Sequence, residues 1–144
     1  MTLQTISDEQ NFRSFCTLLT SSDLPTSGLD YTKDLLVGYY EDGIMVGTGG
    51  LEIYGDYGLL RSLSVKLGTR GKALGTAITE YLIKQGKERK LKGIYLLTET
   101  AHGFFLRKGF QDVRREEVPE PLKASSEFSH DCGPAAIAMH LPLA

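Results

Sequence analysis

The stretch LSVKLGTRGKALGTAITEYL, from Leu63 to Leu82, runs through three kinds of local structure without a break. Leu59-Leu60-Arg61-Ser62-Leu63-Ser64-Val65 reads as a strand, Lys66 to Leu74 as a basic glycine-bearing loop, and the residues from near Gly75 onward as an amphipathic helix. A loop at a helix start directs unpaired backbone N–H groups, the positive end of the helix dipole and nearby cations at one spot. Such a spot attracts phosphate. Glycine spacing then limits the ligand. A P-loop needs glycine where Lys66 stands and Ser or Thr where Ala73 stands, and the dinucleotide fingerprint does not fit the spacing of Gly68, Gly71 and Gly75.

What remains is Arg70-Gly71-Lys72-Ala73-Leu74-Gly75. It resembles the pyrophosphate loop R/Q-x-x-G-x-G/A of the GCN5-related N-acetyltransferases, with Ala73 where that family usually has its first glycine. Alanine keeps the loop small but is less at ease at positive φ. A second segment, Thr98-Glu99-Thr100-Ala101-His102-Gly103-Phe104-Phe105-Leu106-Arg107-Lys108-Gly109-Phe110, resembles the later motif of the same family, a strand end and short helix closing on Y-x-K-x-G-F. Phe105 takes the tyrosine position. Order and separation of the two segments also match the family.

The resemblance implies an α/β (α+β) fold over a single domain, residues 1–144. Its mixed central sheet has six or seven strands, with antiparallel N-terminal strands, a splayed parallel central pair and flanking helices. It further implies acetyl-CoA as co-substrate. The diphosphate would lie on Arg70, Gly71, Lys72, Ala73, Leu74, Gly75 and Thr76, and the pantetheine arm between the splayed strands against Leu63 and Val65, with Thr98 and Phe105 beside it. No metal ligand set is read.

Composition is compatible with this. The chain has 144 residues, enough for a real core, with 41% hydrophobic and 24% charged residues, which suggests neither disorder nor a membrane class. A net charge of −2 argues against a general nucleic-acid binder. The run Lys84, Lys87, Arg89, Lys90 and Lys92 reads as a solvated helix end, with cations favourably placed at the C-terminus. Cys16 and Cys132 lack metal-ligand spacing and are too few for a disulfide framework. No apolar run reaches the ~18 residues of a span, and Met1-Thr2-Leu3-Gln4 has no secretory pattern. A cytoplasmic protein is expected, with a small-molecule amine as partner, no nucleic acid and no membrane; a homodimer is compatible.

From the start of the chain, Leu3 to Ile6 reads as a strand, and Ser7 as a helix cap with Gln10 three residues on. Ser21 to Asp30 is rich in breakers and resembles an acceptor-side lid, from which Tyr31 could reach the acceptor; a half-buried structural tyrosine is the alternative. Leu35–Tyr40 and Ile44–Tyr54 form a hairpin about Glu41-Asp42-Gly43. The helix after the loop should end near Arg89 and lead into a buried parallel strand, Ile94 to Leu97. Phe110–Arg114 and Ala135–Leu141 read as strands, with an irregular segment from Val118 to His130.

Acetyl transfer needs an uncharged amine and a group that stabilises the leaving thiolate. Phe105 cannot donate a proton, so that role is absent or displaced. Glu52, on the strand before the turn, is the preferred general base, with an ordinary surface glutamate as the alternative. His102 reads as structural rather than as a proton carrier. Arg61, inside an apolar run, should have a partner: a substrate carboxylate, or internally Glu52 or Asp56.

Leu96-Leu97-Thr98-Glu99-Thr100-Ala101-His102 is similar to a segment of N-acetylglutamate synthases. The fuller likeness is to the single-domain acetyltransferases of arsenic-resistance operons, through Gly50 to Asp56, Leu59 to Leu63, Val118-Pro119 and Ser126-Glu127-Phe128 to Cys132. That likeness implies acetyl transfer to the amino group of a small amino acid or an amino-acid-like compound, with Arg61, Tyr31 and Cys132 near the acceptor. Cys132-Gly133-Pro134-Ala135 departs from the synthases and makes glutamate a poor choice. A CoA-binding sensor without turnover and a protein-lysine acetyltransferase remain the alternatives.

Overall fold

In a computed structural model, residues 2–68, 71–131, 133 and 135–143 are described, with 71, 72, 130 and 131 described by backbone alone. The elements are β1 (Thr2–Thr5), α1 (Glu9–Ser21), β2 (Leu35–Glu41), β3 (Ile44–Tyr54), β4 (Tyr57–Val65), α2 (Gly71–Glu88), β5 (Gly93–Thr98), α3 (His102–Arg107), β6 (Gln111–Asp112), α4 (Glu120–Lys123) and β7 (Ile137–Pro142). A 3-10 turn at Arg115–Glu117 and a π turn at Glu127–Asp131 lie either side of α4.

Among the described residues the strands make one seven-stranded sheet in the order β1-β2-β3-β4-β5-β7-β6. β4–β5 is a parallel pair and the remaining neighbours are antiparallel, as the resemblance implies. The hairpin turn forms where Asp-Gly predicts it, with Asp42 at φ 52° and Gly43 at φ 78°.

Strand alternation divides the core between the two faces. On β5, Ile94 and Leu96 join Leu60, Ile78, Leu82 and Phe105 under α2 and α3. Tyr95 and Leu97 instead join Leu59, Val118 and Leu122 under α4. Phe15 and Leu19 of α1 close the rest of that second face on Ile6, Leu36 and Met45. Fully buried leucines such as Leu82 and Leu59 each contribute about 1.5–3 kcal/mol. α2 lies so close on β3 that a Cβ at Gly49 would overlap Ile78 and come within 3.0 Å of Leu82.

Several boundaries differ from the sequence reading, each for a local reason. Asp8, not Ser7, caps α1, accepting from the Asn11 N–H at 2.8 Å. The chain is still extended at Ile6, whose N–H donates to the Leu36 carbonyl, so the helix cannot start earlier. α2 begins at Gly71 rather than near Gly75, because the good helix formers Ala73 and Leu74 carry the helix backward through the supposed loop. Phe110 is buried core, leaving only Gln111–Asp112 in β6.

β4 carries the irregularity that makes the site. Gly50 pairs with Arg61 but Thr48 pairs with Ser64, so between these points β4 has one residue more than β3. Ser62 falls in this bulge with a left-handed φ of 64°. A bulge bends and over-twists its strand. On the other side, β4 pairs with β5 only through Tyr57–Gly93, Gly58–Ile94 and Leu59–Tyr95. Beyond Leu59 the two strands diverge.

Candidate active site

The divergence opens a cleft of about 490 Å³ between the C-terminal halves of β4 and β5, large enough for the end of an extended cofactor. Leu60 to Leu63 form one wall, Leu96 to Ala101 with Phe105 the other, and Ser22 to Pro25 and Glu127 its rim. Phe105 is 5% exposed, with its ring edge-on to Phe104 and Phe110. Its position in the cleft is therefore fixed by core packing. The Thr98 hydroxyl accepts from the Ala101 N–H at 2.9 Å, fixing the turn from β5 into α3.

Behind the cleft lies a buried ion cluster. The Arg61 side chain has no exposed surface. Its Nη1 donates to the Ser27 carbonyl at 2.8 Å, to Ser126 Oγ at 3.2 Å and to Glu52 Oε2 at 3.4 Å, and Nη2 donates to the Pro25 carbonyl at 3.1 Å. Nε lies 3.6 Å from Glu127 Oε2. One guanidinium thus ties the connection after α1 and the π turn after α4 to the bulged strand. Of the internal partners weighed from sequence, Glu52 is found; Asp56 pairs with Lys92 at 3.5 Å instead. A charge buried this deeply persists only with partners of this kind.

Glu52 itself is 3% exposed, which removes the surface-glutamate reading. Burial pushes its carboxyl above the ordinary 4.5, and nearby Asp34 adds to this, while Arg61 and a 3.0 Å hydrogen bond from the Tyr54 hydroxyl oppose it. Burial and the Glu52 charge push the Tyr54 phenol up as well. Glu52 sits one contact behind the cleft wall, through Arg61, rather than in the wall itself.

Of the other residues expected at the site, Leu63, Thr98 and Phe105 line the cleft. Val65 ends β4, paired with Gly47, beyond the cleft. Within α2, Ala73 is exposed, Leu74 and Gly75 are buried and Thr76 is half-buried; a Cβ on Gly75 would meet only the Phe104 ring, at 3.7 Å. Gly71 and Lys72 open the helix. Arg70 and Cys132 lie outside the described residues. Tyr31 packs on Phe12 with ring centroids 5.2 Å apart and does not line the cleft. His102 hydrogen-bonds Asp112 at 2.6 Å, away from the cleft wall.

Two residues that the sequence reading did not single out for chemistry, Ser62 and Glu127, line the cleft. Glu127 had a signal, the need of Arg61 for a counter-charge. Ser62 had none, since a bulge appears only when two strands are in register. A larger and more open groove of about 720 Å³ runs between α1 and the β2–β3 turn, with Lys66 at its edge.

Residues 32–112, more than half of the chain, match the model of the acetyltransferase (GNAT) domain. The chain belongs to that family, whose members are acyltransferases with acetyl-CoA as co-substrate. In sequence it is 29% identical over 94 residues to a Mycobacterium tuberculosis protein named amino-acid acetyltransferase, a match that takes in 65% of this chain and 53% of that one. It thus spans about half the length of that relative. In structure it is similar to the N-acetylglutamate synthase of Neisseria gonorrhoeae solved with coenzyme A and N-acetyl-glutamate, with a TM-score of 0.80 and 13% identity, covering 100% of this chain and 36% of that one. A Mycobacterium tuberculosis protein solved in complex with CoA is similar over 100% of both chains, with a TM-score of 0.79 and 19% identity. At these identities the two solved structures speak for the fold.

Proposed function

We propose that this chain, as a single domain over residues 1–144, catalyses direct transfer of an acetyl group from acetyl-CoA to the amino group of a small amino acid or amino-acid-like compound. The observation that carries the reading is the opening of the parallel β4–β5 pair after Leu59 and Tyr95 into a cleft, with α2 following β4 and the second motif starting at the end of β5. Acetyl-CoA supplies the activated acyl group as a thioester. Backbone groups of β4 from Leu60 to Val65 on the edge that no longer pairs with β5 would hold the pantetheine arm in the manner of an added strand. The start of α2, over Gly71, Lys72, Ala73, Leu74, Gly75 and Thr76, would offer N–H groups to the diphosphate, and Arg70 is proposed beside it on family resemblance. α2 has no acidic residue in its first turn to oppose this. Thr98 and Phe105 shape the wall along which the thioester end lies.

On the acceptor side, Glu52 is assigned as the group that takes the amine proton. Its raised carboxyl is a better proton acceptor than an ordinary glutamate, and the Tyr54 hydroxyl holds one of its oxygens. Arg61 serves by holding Glu52 and both acceptor-side segments in place. Its guanidinium is already engaged internally, so positioning suits it better than gripping a substrate carboxylate. Tyr31 and Cys132 remain proposed acceptor-side residues on family resemblance alone, and a cytoplasmic setting is proposed with them. Among the described residues no helix is long and apolar enough to cross a membrane.

A second reading is favoured by one observation. Phe105 is a buried apolar ring in the position from which relatives donate a proton, which suits a module that binds acyl-CoA without turning it over. Release of free thiol from acetyl-CoA, measured across a panel of amino acids and amino-acid analogues, separates the two. Acceptor-dependent release supports the transferase; tight acetyl-CoA binding with no release under any acceptor supports the module.

A further inference from the structure

Among the described residues three carboxylates line the cleft, Asp23, Glu99 and Glu127, and they are not equivalent. Asp23 and Glu99 are exposed, where water and salt screen a charge. Glu127 is 5% exposed as a residue and 7% exposed in its side chain, so the surface it keeps belongs to the side chain, and the residue lines the cleft. Glu52 is as deeply buried but does not line it.

The turn that carries Glu127 is fixed from both of its neighbours. Ser126 Oγ donates to the Ser27 carbonyl at 2.8 Å and accepts from Arg61 Nη1 at 3.2 Å, which ties the residue before Glu127 to the segment after α1. Phe128, the residue after it, packs with Val118 and Leu122 under α4, and its N–H donates to Ser125 Oγ at 3.3 Å. Ser129 closes the turn, donating its N–H at 2.9 Å and its hydroxyl at 2.6 Å to the Ser125 carbonyl. With Glu127 Oε2 also 3.6 Å from Arg61 Nε, this carboxylate has its place before any ligand arrives.

We propose that the Glu127 carboxylate receives the ammonium group of the acceptor, so that the acceptor is recognised by its cationic nitrogen rather than by a carboxylate. The inference rests on the transferase reading and adds which end of the acceptor is gripped. An aliphatic amine is mainly protonated at neutral pH, and an ammonium taken out of water needs a charged or polar acceptor for its hydrogens. Glu127 offers that at the rim. Arg61 has no exposed side-chain surface, so it presents no cation to the opposite end of an amino acid. Its part is to hold both carboxylates, Glu52 through Nη1 and Glu127 through Nε. The proton passes afterwards to Glu52, and Glu127 stays ionised.

Calorimetric titration of the CoA-bound protein, in which no transfer occurs, tests this with two ligands at neutral pH. One is the amine that releases most thiol in the acceptor panel; the other carries a hydroxyl in place of its acetylated amine on the same skeleton. Wild type prefers the amine by about tenfold or more, the scale of one hydrogen bond between charged groups. Glu127→Gln weakens amine binding about tenfold and leaves the hydroxyl analogue and acetyl-CoA unchanged, so the preference is lost. Glu52→Gln keeps it. Glu127→Asp keeps a charge beside Arg61 but draws it back by one methylene, and serves if the glutamine variant does not fold; it too lowers the preference. A preference unchanged in the Glu127 variants, equal weakening of both ligands, or a preference lost in Glu52→Gln overturns the role of Glu127 while leaving the transferase reading standing. Absence of thiol release with every amine of the panel overturns that reading, and this inference with it.

Discussion

β4 and β5 are one parallel pair with two different halves. From Tyr57 to Leu59, β4 runs in register with Gly93 to Tyr95, and the side chains it presents are core. From Leu60 onward β4 is still paired on its β3 side but no longer on its β5 side, and a cleft takes the place of the missing ladder. Composition does not cause the difference, because Leu59, Leu60 and Leu63 are alike. One additional residue in β4 relative to β3 does, by bending the strand at Ser62 and turning its free edge toward the gap. The second half is held open from the α1 and α4 side by Arg61. The paired half is thus a matter of stability and the open half a matter of function, and substitutions should divide along that line.

The largest effect is expected at the brace. Arg61→Ala leaves Glu52 and Glu127 buried without their shared cation, which destabilises by about 3–5 kcal/mol. Denaturant unfolding measures it. A loss below 1 kcal/mol would mean that the open half does not depend on this ion cluster.

Next comes Glu52→Gln. As the amine-proton acceptor, Glu52 works only when ionised, and its raised carboxyl places the acid limb of kcat above the ordinary 4.5, with the rate falling as pH drops through that limb. The glutamine variant loses about 10²-fold in kcat at neutral pH and shows no such limb, while keeping its affinity for acetyl-CoA. An unchanged acid limb in the variant would move the base elsewhere.

The smallest change belongs to the paired half. A side chain at Gly58 would meet Leu51 at 2.8 Å and Leu91 at 3.1 Å, so Gly58→Val overpacks the core and destabilises by about 1–3 kcal/mol. Acetyl-CoA affinity of the folded variant should not move. If affinity falls together with stability, the two halves are not independent.

Much of this contrast was legible in the sequence, and the part that was not has a common cause. Local signals placed the Asp42-Gly43 turn, the strand on either side of it, the end of α2 and the parallel return through Ile94, because each depends on neighbours a few residues apart. The bulge at Ser62 depends on register with β3, and nothing within Leu59 to Val65 announces it. Arg61 was marked as a residue in need of a partner, but most of its partners lie far along the chain, at Pro25, Ser27, Ser126 and Glu127. Tyr31, read either as an acceptor-side group or as a half-buried structural tyrosine, packs on Phe12, a contact that no local signal in the sequence announces.

Backbone hydrogen exchange with and without CoA tests the division of β4–β5 most directly. The account expects amides of residues 60–65 to exchange measurably in the free protein and to slow on CoA addition, while those of residues 57–59 and 93–95, already in the ladder, do not change. Slowing confined to residues 57–59 and 93–95, or CoA bound with no protection of residues 60–65, would contradict it.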